Sequence, residues 1–145
     1  MRELLERQHR YLIELEELLQ REKAALLESE VDGELLAHLA ASKQPLLEAI
    51  ETQEGKRVAA HTGLGYDSGE ATRAAEEHDC GEIWQEIGRL LRETSHLNQL
   101  NGSLIKNRLV HNRRVLRELR QIAGAALYGA DGLTRKGTGR VQSSA

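Results

Sequence analysis

Residues 81 to 123 read GEIWQEIGRLLRETSHLNQLNGSLIKNRLVHNRRVLRELRQIA. The apolar side chains Ile83, Ile87, Leu90, Leu97, Leu104, Ile105, Leu109, Leu116, Leu119 and Ile122 share one phase, with Thr94, Asn101 and Asn112 filling the same slots. Steps of three and four mark one face of an α-helix. Asp79 and Glu82, three residues apart, have capping-box spacing and predict the start of the helix near Gly81. A helix over 81–123 would be roughly 60 Å long, so it needs partners to cover its apolar face. The reading places Leu90, Leu97, Leu104 and Ile105 in the core.

The partners lie upstream. Leu5, Leu12, Leu15, Leu19 and Leu26, widened by Leu4, Tyr11 and Leu18, give an amphipathic helix over about 2–28. Asp32 can cap a second helix over about 33–60 by accepting backbone N–H bonds, with Glu34 in its first turn. Its stripe is Leu36, Leu39, Lys43, Leu46 and Ile50. Pro45 lies inside it, and because the apolar phase is preserved across the proline, a kink is expected rather than a break. Lys43 occupies a core-phase slot, from which its ammonium can snorkel to the surface or bond an Asn carbonyl.

Glycines 55, 63, 65, 69 and 81 mark residues 55–81 as loop-rich, with the connection expected over 61–80. Asp67 and Glu70 repeat the capping spacing and predict a short surface helix to Glu77 with a lightly packed Ala face. From residue 124 onward five glycines in 22 residues predict a flexible tail. The tail carries net +2 against −5 for residues 1–123.

The composition agrees with an all-α fold. Leucine contributes 24 residues and glutamate 19, against five Val, six Ile and no Phe, a balance that suits helices and starves strands. The expected architecture is an elongated antiparallel bundle of three main helices, the third very long and crossing both earlier ones antiparallel. A net charge of −3 disfavours nucleic-acid binding. Acids at Glu3 and Glu6 argue against a signal peptide, and no apolar run approaches a membrane span. Cys80, the single cysteine, fits a reducing compartment.

Catalytic patterns are weak. Glu6-x-x-His9 and Glu93-x-x-His96 have the spacing of di-metal carboxylate bundles. With 19 Glu and six His such spacings arise by chance, and these residues lie off the apolar stripes. His78-Asp79-Cys80 has no second ligand pair, and Gly63-x-Gly65-x-x-x-Gly69 misses the dinucleotide fingerprint. No catalytic, metal or cofactor residue is assigned.

Binding patterns are stronger. Asn101 and Asn112 in the seam either lock helix register or, with Asn98 and Ile105, form a polar notch for a partner, Gly102 permitting close approach. In the tail, Leu127, Tyr128 and Leu133 either fold back on the bundle or order on a partner.

The ordered set Asp32-x-x-Leu35, Lys43-x-x-Leu46-Leu47, Asn98-x-x-Asn101-Gly102-x-x-Ile105 and Leu127-Tyr128-Gly129-x-Asp131-Gly132 resembles the FlgN family of flagellar export chaperones. The resemblance implies a cytoplasmic helical protein, a monomer or weak homodimer, that binds terminal helical segments of hook-associated proteins. It would prevent their premature assembly or degradation and deliver them to the flagellar export gate and its ATPase complex. By the same resemblance, binding falls to the end of the third helix and the tail, including Leu127, Tyr128, Gly129, Asp131 and Leu133. A self-associating coiled-coil adaptor is the alternative, and a di-metal enzyme a more distant one.

Overall fold

A computed structural model describes residues 1–130, with side chains through residue 124. The described residues form four helices and no strand: α1 (Arg2–Leu27), α2 (Gly33–Gly63), α3 (Ala71–Glu77) and α4 (Gly81–Ala130). The chain divides into two units, Met1–Leu104 and a second beginning at Ile105.

In the first unit the α1 stripe turns inward as its spacing requires: Leu5, Leu12, Leu15, Leu19, Ala25 and Leu26 are buried. Leu5 and Leu12 pack with Ala75, Cys80, Ile87 and Leu90, while Leu15 and Leu19 pack with Leu97. Ile50 of α2 touches both clusters. The Asp32 carboxylate accepts the Leu35 N–H at 3.0 Å and starts α2 as expected.

Polar contacts give the helix directions. Leu4 and Gln8 near the start of α1 bond Gln53 and Glu54 late in α2, and Glu22 late in α1 bonds Lys43, so α1 and α2 run oppositely. Leu5 packs beside Ile87 and Leu90, and Leu19 lies at Asn101, so α4 runs parallel to α1. This corrects the expectation that α4 crosses both earlier helices antiparallel. Two chain reversals, one at 28–32 and one through α3, restore the original direction.

Other expectations also change. α2 passes through Pro45 without a break, as expected, but ends at Gly63, beyond the expected 60. Ala74 and Ala75 of α3 are fully buried instead of lightly packed, because alanine lets this short helix approach the core closely. Asp67 does not cap α3 with its side chain; its N–H donates to the Glu70 carboxylate at 2.9 Å. Asp79 likewise does not cap α4. It adopts a left-handed φ of 54°, which Asp tolerates, and its carbonyl accepts the Arg2 guanidinium. α4 continues through Gly124 to Ala130, past the boundary expected at 123. The strong helix formers Ala125, Ala126, Leu127 and Ala130 offset the cost of its late glycines.

Leu90 and Leu97 are buried, but Leu104 is only half-buried and Ile105 is exposed. Asn112 is also exposed, which removes it as a buried register lock. Gly102 has no heavy atom within 4 Å of where a Cβ would stand, so it is no close-approach point within the chain. Lys43 bonds no Asn carbonyl. Its ammonium pairs with the buried Glu22 carboxylate at 3.1 Å, and Asn101 Nδ2 donates to the same carboxylate at 2.9 Å and to the Leu19 carbonyl at 3.0 Å.

Leu97→Ala is expected to destabilise the first unit by about 2–5 kcal/mol. Gly102→Ala, in open space on a helix, should instead stabilise by up to about 1 kcal/mol. Lys43→Met leaves Glu22 buried with Asn101 alone and should cost about 3 kcal/mol, with Glu22→Gln added to Lys43→Met recovering part of the loss. Denaturant titrations of the four proteins measure each value.

Candidate partner-binding surface

The second unit has an apolar stripe that nothing in the chain covers among the described residues. On α4, Ile105, Leu109, Leu116, Leu119 and Ile122 are 41%, 50%, 53%, 55% and 65% exposed. Their steps of four, seven, three and three place them along one broad face of the helix, with Asn112 in the gap. Val115 widens the face and is also exposed. Scattered apolar side chains on a surface need no explanation, whereas a periodic stripe of this kind is a candidate interaction site. Full covering of each large side chain contributes about 1.5–3 kcal/mol.

The reason for the exposure is helix length. α1 has 26 residues and α2 has 31, whereas α4 has 50. At 1.5 Å per residue these are about 39, 47 and 75 Å, so neither earlier helix can cover the whole of α4. The repeat in the sequence is the same where α4 is covered and where it is not, so periodicity puts Leu104 and Ile105 in the core with Leu90 and Leu97 and does not mark where the covered part ends. The lengths of the segments carried the missing signal.

The structure separates the expected notch residues. Asn98 is exposed and, with Leu47, Ile50, Leu91 and Lys43, lines a groove of about 250 Å³ in the first unit. Asn101 is 1% exposed and is committed to Leu19 and Glu22, so it is a structural residue and not a contact point. Ile105 belongs to the exposed stripe. Leu127, Tyr128 and Gly129 lie within α4 instead of an unstructured tail. Asp131 and Leu133 lie outside the described residues.

A polar cluster in the first unit is the other place where chemistry could concentrate. The Arg57 guanidinium bonds both oxygens of Glu54 at 2.8 and 2.5 Å, lies 5.0 Å from the Trp84 ring centroid and approaches His61 Nδ1 at 3.1 Å. Arginine can only donate, so His61 Nδ1 accepts and the ring is neutral with its proton on Nε2. Nε2 is buried without a partner. Burial, and then the neighbouring Arg57 charge, hold His61 below the usual histidine range, while the bonds from Arg57 hold Glu54 below the usual carboxylate range. No cysteine or metal ligand set joins them: Cys80 packs in the apolar core, and no three His, Cys, Asp or Glu among the described residues lie together as a metal site. Glu6, His9 and Glu93 are half-buried and His96 is exposed, and the two pairs do not gather into a metal site among the described residues. The cluster therefore joins α1, α2 and α4.

Unfolding frees His61 to titrate near 6.5, above its folded value. Between the two values the unfolded chain holds more protons, so stability rises with pH there. His61 contributes in full above about pH 6.5, and its contribution is lost as pH falls through the folded value. Thermal melts should show Tm falling on acidification from about pH 7.5 towards 5, and His61→Gln should flatten part of that slope.

Comparison with known proteins places this architecture. The family model described as FlgN protein matches residues 1–136. The Flagella synthesis protein FlgN of Proteus mirabilis is 27% identical over 139 residues, covering 94% of this chain and 90% of that protein. No solved structure is significantly similar to the chain. Since the family model runs through α1 to α4 almost without remainder, the chain belongs to the FlgN family.

Proposed function

We propose that this protein is a cytoplasmic chaperone of flagellar type III secretion. It binds terminal helical segments of hook-associated subunits, prevents their premature assembly or degradation, and delivers them to the export gate and its ATPase complex. The observation that carries the reading is the uncovered stripe Ile105, Leu109, Leu116, Leu119 and Ile122. Filament-type subunits assemble through amphipathic helices whose apolar faces are bare before assembly, and an amphipathic helix docks on another through i, i+3, i+4 and i+7 anchors. In the first unit α1, α2 and the start of α4 pack together, with α2 running opposite to the other two, and serve as the folded support. Family membership and the flagellar name of the relative support the setting. The protein works by binding and release, as a monomer or weak homodimer. Tyr128, with Leu127, Gly129, Asp131 and Leu133, is assigned to contact with the export machinery or the client.

Leu116→Glu together with Leu119→Glu tests the reading. The melting temperature should stay within a few degrees of the parent, since both side chains are already exposed, while co-purification of a hook-associated subunit should fall at least ~10-fold. Undiminished co-purification removes the stripe as the client site. Sedimentation of the parent at several concentrations tests the adaptor alternative: a permanent oligomer that the two Glu substitutions dissolve would make the stripe a self-association seam.

A further inference from the structure

The overall charge of −3 conceals a steep division along the chain. Residues 1–104 hold 21 acids and 11 Lys or Arg, net −10, whereas residues 105–130 hold one acid and six Lys or Arg, net +5. Within the second segment Lys106, Arg113, Arg117 and Arg120 are spaced by seven, four and three residues. On a helix with 100° per residue that spacing makes one row, and the row borders one flank of the stripe formed by Ile105, Leu109, Leu116 and Leu119. All four cations are exposed, and none has an ion pair or hydrogen bond among the described residues. Glu118, the only acid of the segment, falls on the far side of the helix.

From this arrangement we infer that the helix recognised by α4 is acidic along one flank, its carboxylates facing Lys106, Arg113, Arg117 and Arg120 while its apolar residues cover the stripe. The inference rests on the chaperone reading and names the chemistry of the segment bound. A helix laid along an apolar seam presents one flank to one flank, and opposite charges there set partner choice and orientation. Asn112 in the middle of the stripe favours a protein partner over an acyl layer, because a polar side chain opposite can satisfy its amide whereas hydrocarbon cannot. The cations steer encounter and exclude wrong partners, and the apolar stripe holds the complex.

The test uses the full chain and two synthetic amphipathic helices with one shared Leu stripe, one flanked by Glu and the other by Lys. Fluorescence anisotropy should show the Glu-flanked peptide binding at least ~10-fold more tightly at ~0.1 M salt, the difference shrinking severalfold at ~1 M, where the screening length is about 3 Å. The variant Arg113→Glu, Arg117→Glu, Arg120→Glu, with an unchanged circular dichroism spectrum, should prefer the Lys-flanked peptide. Equal affinities at low salt, or a reversed variant that keeps the original preference, overturn the inference. So does tight binding to phosphatidylglycerol vesicles, or a salt-sensitive dimer of the parent, without discrimination between the peptides. If a hook-associated subunit is retained by the parent and lost by the Leu116, Leu119 variant while the peptides are not distinguished, the charge inference fails and the chaperone reading stands. If the Glu-flanked peptide is preferred but no hook-associated subunit is retained, the chaperone reading fails and the acidic recognition stands.

Discussion

The Glu22 carboxylate is the point on which the first unit closes. It is buried on α1 and is met by the Lys43 ammonium from α2 and by the Asn101 amide from α4, with Asn101 also bonding the Leu19 carbonyl. A charge this deep is costly unless it is paired and hydrogen-bonded, and here both conditions are met by two different helices. Leucine stripes alone tolerate sliding by one turn, since each Leu finds another Leu. A carboxylate that must meet one lysine and one asparagine does not, so the network fixes the register of all three helices. Its place in the chain also matters. Asn101 is the last fully buried side chain of α4 among the described residues, and after it come the half-buried Leu104 and the exposed Ile105.

Local rules were legible in the sequence wherever one residue type answers one local need. Asp32 caps α2 because a carboxylate accepts the free N–H of Leu35, and the α1 leucines turn inward because their spacing leaves no other common face. What failed were statements about which surfaces meet. Periodicity marks a face as apolar and is silent on what covers it, so Leu97 and Leu116 look alike in sequence although one is buried and the other is 53% exposed. Lys43 could be placed in a core slot from its phase, but its partner Glu22 sits on another helix and no spacing reveals it. Glycine counting misled at the end of α4: Gly124 is inside the helix, where strong helix formers around it outweigh a cost of about 1 kcal/mol. Asn101 drew attention as a candidate contact, yet its burial makes it a structural residue, while its neighbour Asn98 stays exposed at the rim of a groove.

Charge was hidden by averaging in the same way. A chain at −3 looks unremarkable, yet its first 104 residues are at −10 and its next 26 at +5. In the first unit a few surface acids are paired locally, as in Glu70 and Glu77 with Arg73, and Glu86 with Arg89. Exposed pairs of this sort add little to stability, but they neutralise the field close to their own helix. The row Lys106, Arg113, Arg117 and Arg120 has no such neutralisation among the described residues, so its field reaches outward for about a screening length of ~8 Å at physiological salt.

Stability and function then divide along the chain. A helix in a folded protein derives most of its stability from the packing of its apolar face. The first part of α4 has that packing on α1, through Ile87, Leu90 and Leu97. Beyond Leu104 the same kind of face is bare, and Arg, Leu and Ala propensity must carry the helix alone. Any partner that covers Ile105, Leu109, Leu116, Leu119 and Ile122 therefore supplies the missing tertiary packing while it gains a surface for itself. On the proposed reading, binding and helix formation in this segment are one linked equilibrium, and substitutions that raise intrinsic helicity on its far face strengthen binding without touching the partner. On that reading the packed part of α4, through Leu97, is already helical, so the costly nucleation step is complete before a partner binds.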